Sequence, residues 1–232
     1  MASRWRGCLV EIVETVLLTA IIFFVTQNFI GEPYQIFGPS MENTLQNGQM
    51  VLVDKISPRL TGYRRGDVIV FDPPPGYLED GKKVPFIKRV IGVGGDLIAI
   101  HDSHVYVNGV EINEPYTFSD GAQGTNAEAG PDGAQPMDGL AGGSEACKST
   151  AQLLTCRVPD GDLFVMGDHR TESTDSRVFG TIPKSTVIGR AWLRYLPLSD
   201  FGWVSPAQYD GVPGSSTNAT ASPDATAAPS GS

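Results

Sequence analysis

Phe86-Ile87-Lys88-Arg89-Val90-Ile91-Gly92 is the stretch whose reading decides the fold. Taken with its flanks, Val84 to Val93 reads as a β-strand. Successive side chains of a strand face opposite sides. Phe86, Lys88 and Val90 therefore share one face, and Ile87, Arg89 and Ile91 take the other. Lys88 sits among apolar neighbours while Arg89 points away. A lone lysine is usually a surface residue on an edge strand. One held in apolar surroundings is different: burial disfavours the ammonium and can bring a pKa of about 10.4 down to the 7–8 range of a useful general base.

Working outward, the chain offers further short strands with turn punctuation: Gln49 to Val53, Asp67 to Asp72, Asp96 to His101, Gly161 to Met166 and Val187 to Leu196. Val105-Tyr106-Val107 and Val110-Glu111-Ile112 flank Asn108-Gly109, a dipeptide suited to the positive φ angles of a tight hairpin turn. No convincing amphipathic helix follows residue 31. The pattern predicts a mostly β protein, an antiparallel β-domain with a sandwich-like or barrel-like core, behind one N-terminal transmembrane helix.

That helix is predicted over residues 9–30, LVEIVETVLLTAIIFFVTQNFI. At about 1.5 Å per residue it is about 33 Å long, enough to cross a bilayer. Glu11 and Glu14 lie in its first turns, where carboxylates cost least. Arg4 and Arg6 precede it, so residues 1–8 are expected in the cytoplasm and the rest of the chain outside. A cleaved signal would need small residues at −3 and −1 of a cut, and Asn28-Phe29-Ile30-Gly31-Glu32 offers no such pair.

The body is expected over residues 31–210. Within it, residues 118–151 are rich in Gly, Ala, Ser and Asp and read as a mobile insertion; residues 211–232 read as a disordered tail. The net charge of −9 argues against a nucleic-acid partner. The 3 cysteines are too few for a disulfide scaffold. Cys8 falls in the apolar segment, leaving Cys147 and Cys156 as one possible pair in an oxidising space. That disulfide would tie down one end of the insertion rather than build the core. No zinc-type spacing is present, and no metal or cofactor is expected.

Two more stretches bear on Lys88. Gly38-Pro39-Ser40-Met41-Glu42-Asn43-Thr44-Leu45 carries a serine that is a poor nucleophile unless a base takes its proton. Gly167-Asp168-His169-Arg170-Thr171-Glu172-Ser173-Thr174-Asp175-Ser176-Arg177 is a compact polar loop. It is either a solvated loop with a weak ion pair or the support that orients a lysine amine.

In these residues the chain resembles type I signal peptidases, the membrane-anchored Ser–Lys proteases of bacteria. Ser40-Met41 with Thr44-Leu45 matches the family's nucleophile box. Lys88-Arg89 with Val90-Ile91-Gly92 matches its lysine box. Gly167-Asp168, Arg170, Ser173 and Asp175-Ser176-Arg177 match its C-terminal box. The resemblance covers residues 9–116 and 155–197. It implies that Ser40 attacks the scissile carbonyl and Lys88 takes its proton. Ser173 would position the Lys88 amine, and Asp175 with Arg177 would brace the loop.

The Ser40 backbone N–H would hold the oxyanion. Where some members add a hydroxyl, this chain has Gly38, whose backbone must serve or leave the hole with one donor. The implied substrates are signal-peptide-bearing preproteins cut after small residues at −3 and −1, bound as an added strand. Tyr34, Ile36, Leu45 and Phe86 would line shallow apolar pockets, or else be ordinary core. The partners implied are the lipid bilayer and, by proximity, the secretion translocon. The chain departs from the family at Pro39, at Asn43 in place of a common proline, and at His169 in place of asparagine.

Two other readings remain on the sequence alone. A Ser–His–Asp hydrolase would pair Ser40 with His169 or His101, though the GxSxG elbow is absent. An anchored β-domain that binds peptides or cell-surface partners would need no nucleophile.

Overall fold

The computed structural model describes residues 11–20, 31–77, 84–118, 146–149 and 153–214. Residues 11–20 form a helix, α1. The remainder of the apolar run at 9–30 lies outside the described residues. Among the described residues no helix is long and apolar enough to cross a membrane. Residues 119–145 of the predicted insertion and 215–232 of the tail also lie outside the described residues.

Strands then follow in quick succession: β1 (Glu32–Gln35), β2 (Met50–Asp54), β3 (Val68–Phe71), β4 (Phe86–Val93), β5 (Leu97–His101), β6 (His104–Val107) and β7 (Val110–Glu111). After them come β8 (Cys147–Ser149), β9 (Leu153–Arg157), β10 (Asp162–Met166), β11 (Ile182–Pro183), β12 (Val187–Leu196) and β13 (Gly202–Trp203). One sheet runs β1-β2-β12-β3-β4-β10-β11, with β13 beside β12; the other runs β7-β6-β5-β9-β8. Neighbouring strands pair antiparallel among the described residues. The β-rich, antiparallel expectation therefore describes the body.

Short helices interrupt the mostly β body. Helix α2 (Ser57–Thr61) starts with a proline in its first turn. Helix α3 (Ser176–Phe179) falls inside the stretch read as a loop. Four residues are too few for periodicity to reveal a helix. What fixes α3 is its cap: the Asp175 side chain accepts a hydrogen bond from Arg177 N–H.

β4 is an interior strand of the larger sheet, between β3 and β10, and Ile87 to Gly92 are buried along its whole middle. The two faces meet different neighbours, as alternation requires. Val90, with Phe86 packed alongside, belongs to a cluster with Ile69, Phe71, Leu163 and Val165. Ile87 belongs to another with Ile36, Met41, Leu45, Val51 and Val53. Ile91 joins the core of the smaller sheet, with Ile98, Ile100, Val107 and Phe164. A register shift between Phe164 and Val165 in the β4–β10 pair accompanies this change of partner.

The hairpin at Asn108-Gly109 forms as read, with φ +54° and +82°. Cys147 and Cys156 face each other across β8 and β9 and are joined by a disulfide. β8 lies within residues 118–151, so that part of the predicted insertion belongs to the smaller sheet. Cys156 is fully buried in that sheet's core cluster. The bridge therefore joins the core, where the sequence suggested only a tether at its margin.

Candidate active site

Pro39 opens a tight turn. Glu42 N–H donates to Pro39 O at 2.8 Å, and Thr44 and Leu45 N–H donate to Met41 O at 3.1 and 2.8 Å. This winding puts Met41 and Leu45, four residues apart, on the same side. Both are fully buried with Ile36, Val51 and Val53. The core thus grips the apolar side of the turn and leaves Ser40 half-buried at its start.

The Lys88 amine reaches that serine. Nζ lies 2.7 Å from Ser40 Oγ, and Lys88 as a whole is only 4% exposed. The Phe86 ring centroid is 5.4 Å from Nζ. Burial pushes the Lys88 pKa down to about 8. The Asp175 charge opposes this, Arg177 adds to it, and Asp168 opposes it weakly. The lysine is thus held near the point where it can both accept and return a proton at neutral pH.

The polar loop closes over this pair from β10. Gly167 N–H donates to Asp175 Oδ2 at 2.9 Å, and Ser173 Oγ donates to the same oxygen at 2.8 Å. Arg177 Nε donates to Asp175 Oδ1 at 2.9 Å, and its Nη2 donates to Oδ2 at 2.8 Å. Asp175 is fully buried. Burial alone would raise its pKa, but the Arg177 guanidinium and these donors hold it below the usual carboxylate value. The side chains of Ser173, Asp175 and Arg177 thus form one buried knot. Among the described residues, Ser173 Oγ bonds Asp175 and not the Lys88 amine.

A second knot was not legible in the sequence. Arg89 Nε donates to Asp168 Oδ1 at 2.8 Å, and Nη2 donates to Oδ2 at 2.7 Å. Thr44 Oγ1 donates to Asp168 Oδ2 at 2.5 Å and accepts from Arg89 Nη2 at 3.0 Å. Arg89 is 2% exposed and Asp168 fully buried. One ion pair therefore joins all three sequence stretches. Alternation indicated that Arg89 faces away from Lys88. An arginine on a strand covered on both faces needs a carboxylate partner, which alternation does not identify.

Gly38 and Ser40 differ as candidate oxyanion donors. Gly38 N–H donates to Asn47 Oδ1 at 3.1 Å, so it is already engaged. Ser40 N–H has no acceptor among the described residues. Gly38 also has φ +80°, a left-handed conformation that a serine adopts only with strain. Gly38→Ser is therefore expected to give no gain in kcat and a loss of several-fold, read from steady-state cleavage. A rise in kcat would show that a hydroxyl there reaches the oxyanion.

A groove runs from Ser40 and Lys88 past Tyr34, Ile36, Gly38, Val70 and Phe86. Tyr34, Ile36 and Phe86 line it. Leu45 does not: it is fully buried in the core beneath the turn. β1, which supplies Tyr34, is the end strand of its sheet.

His169 stands apart from the Ser40 hydroxyl in its bonding. Its backbone N–H donates to Ser40 O at 3.1 Å, while its ring Nδ1 lies 3.1 Å from Glu42 Oε2. Its Nε2 is buried with no partner among the described residues. Asp168 is committed to Arg89 and Thr44. Among the described residues no Ser–His–Asp relay is assembled.

A serine bonded to a buried amine, in an antiparallel β-body with an open groove, is the equipment of a serine hydrolase with a lysine base. Comparison with known proteins narrows the class. Residues 9–196 match the family model described as signal peptidase, peptidase S26. Signal peptidase I of Bacillus licheniformis is 30% identical over 200 residues, 86% of this chain and 95% of its own length. Signal peptidase IB of Staphylococcus aureus is 31% identical over 83% of this chain and 92% of its own. A crystal structure of a signal peptidase I from Enterococcus faecalis aligns with 55% of this chain and 95% of its own, at 26% identity and a TM-score of 0.37, too low to bear on the fold. The chain belongs to the signal peptidase family, peptidase S26. Its members are serine endopeptidases that remove signal peptides, with a Ser–Lys dyad as their general mechanism.

Proposed function

We propose that Ser40 is the nucleophile and Lys88 the general base of an endopeptidase that removes N-terminal signal peptides from exported preproteins. The observation that carries this reading is the 2.7 Å contact between a buried amine and the Ser40 hydroxyl. Neutral Lys88 accepts the Ser40 proton as Oγ attacks the scissile carbonyl. The oxyanion is met by Ser40 N–H, and the Lys88 ammonium returns the proton to the leaving amine. Water, deprotonated by the same lysine, then releases the acyl group. Ser173, Asp175 and Arg177 act as positioning residues, holding Gly167 and the Ser40 backbone in register.

The substrate enters extended along the free edge of β1 and places small side chains beside Tyr34, Ile36 and Phe86. The apolar run at 9–30 anchors the enzyme as a single transmembrane helix, with residues 1–8 cytoplasmic and the catalytic body outside. Lipid and the neighbourhood of the secretion translocon are its setting. No nucleic acid, metal or cofactor enters the scheme.

The test is cleavage of a purified preprotein by the full chain in detergent, with the new N-terminus sequenced. The cut is expected directly after a small residue, with another at −3. Replacing the −1 alanine by tryptophan should slow cleavage at least a hundredfold, because the proposed specificity is for a small side chain at that position. Cleavage indifferent to that change would overturn the substrate assignment.

A further inference from the structure

The chain between β7 and the described end of that segment, Glu114 to Phe118, touches each of the three stretches that build the site, at Asn43, at Arg89 and at Asp168 to Arg170, without joining its chemistry. The Arg89 guanidinium lies over the Tyr116 ring, 4.1 Å from its centroid. Phe118 N–H donates to Asp168 O at 3.0 Å, and its ring centroid is 4.5 Å from that of His169. Glu114 accepts from both terminal nitrogens of Arg170. The nucleophile turn is bound through Asn43, whose Nδ2 donates to Tyr116 O at 3.1 Å and to Thr117 O at 3.3 Å.

Asn43 is also a backbone outlier, with φ +83°. Asparagine is among the few non-glycine residues that tolerate the left-handed region. Proline, with φ fixed near −65°, cannot enter it. A strained residue whose side chain makes two bonds to one neighbouring segment, three positions after the serine, has the form of a device rather than an accident.

We propose that Asn43 is a positioning residue for the hydrolysis, fastening the nucleophile turn to Tyr116 and Thr117 so that Ser40 Oγ stays in line with Lys88. The proposal rests on Ser40 being the nucleophile. Met41 and Leu45 hold the turn from below, and Thr44 Oγ1 holds its far end against Asp168. Asn43 adds a sideways tether between them. Asn43 is exposed, so its bonds matter little to folding. Their loss matters to the reaction, because a displacement of about 1 Å at reacting atoms can cost roughly a hundredfold in rate.

Glycine separates the two roles. Asn43→Gly keeps the left-handed backbone and relieves its strain, yet removes both bonds. Steady-state cleavage of a preprotein by the detergent-solubilised full chain is measured together with the thermal midpoint. The expected result is a kcat at least tenfold lower, a KM within about twofold of wild type, and an unchanged or higher Tm. Asn43→Asp should behave alike in kcat, since a carboxylate cannot donate to the two carbonyls. An Asn43→Gly enzyme with wild-type kcat would overturn the proposal. So would a kcat loss matched by a fall in Tm, which would make Asn43 a folding residue. Ser40→Ala is measured beside it: residual activity there would remove the nucleophile assignment itself, and Asn43's role with it, whereas a dead Ser40→Ala with a fully active Asn43→Gly defeats the tether alone.

Discussion

Lys88→Ala, Lys88→Arg and Lys88→Met will each abolish preprotein cleavage, as will Ser40→Ala, and the methionine variant will be more stable than wild type. The two halves of this expectation have one cause. Lys88 is buried, and its pKa is pushed down from 10.5 to about 8. At about 1.36 kcal/mol per pH unit, holding its charged form in that site costs roughly 3 kcal/mol relative to the unfolded chain.

The sign follows from proton binding. Between pH 8 and 10.5 the unfolded chain holds more protons at this lysine than the folded one, so stability rises with pH through that window. Below pH 8 both states are protonated and the cost is borne in full. Methionine fills much of the same space without a charge, so at pH 7 its Tm should rise. Arginine keeps the charge, does not deprotonate and cannot act as a base. A loss of activity paired with a gain of stability excludes unfolding as the reason for the loss. An active Lys88→Arg enzyme would remove lysine from the chemistry.

Gly167→Ala will cost at least a hundredfold in kcat and destabilise the protein. A methyl at this position would stand 2.2 Å from Ser173 Oγ, 2.5 Å from Ser173 Cβ and 2.5 Å from Ser40 O. No rotamer relieves a clash made by Cβ itself. One neighbour is the backbone of Ser40; the other belongs to the buried Asp175–Arg177 knot. If Ser173 yields, Asp175 loses a donor in a place closed to water. If Ser40 yields, its Oγ leaves the lysine. Thermal unfolding and steady-state kinetics together will read both effects, and a Gly167→Ala enzyme with near-normal kcat would show that the loop is not braced against Ser40.

The same geometry shows which parts of the molecule a sequence can announce. Strands β3, β4, β5, β10 and β12 were legible because their apolar residues lie in runs broken by Gly, Pro and Asp. β8, β11 and β13 are two or three residues long, too short for any period to show. At the site, the Ser40–Lys88 pairing was legible through the lysine's apolar neighbours and the family resemblance. Arg89 was not, because alternation tells which way a side chain points and nothing of what waits there. Its partner Asp168 comes 79 residues later. Leu45, which the sequence leaves open between pocket and core, is core for a related reason: the turn that carries Ser40 is helical enough to aim it inward with Met41. Asn43 stood out in the sequence only as a departure from a common proline, and its φ of +83° shows that this turn has no place for one.

The measurement that bears most directly on the Ser40–Lys88 pair is the pH dependence of kcat/KM for preprotein cleavage, which reports groups of the free enzyme. The rate is predicted to rise with pH through an apparent pKa of about 8, as Lys88 loses its proton, and His169→Asn should leave that limb in place. A limb centred near the ordinary histidine value of about 6.5, and lost in His169→Asn, would contradict the lysine base.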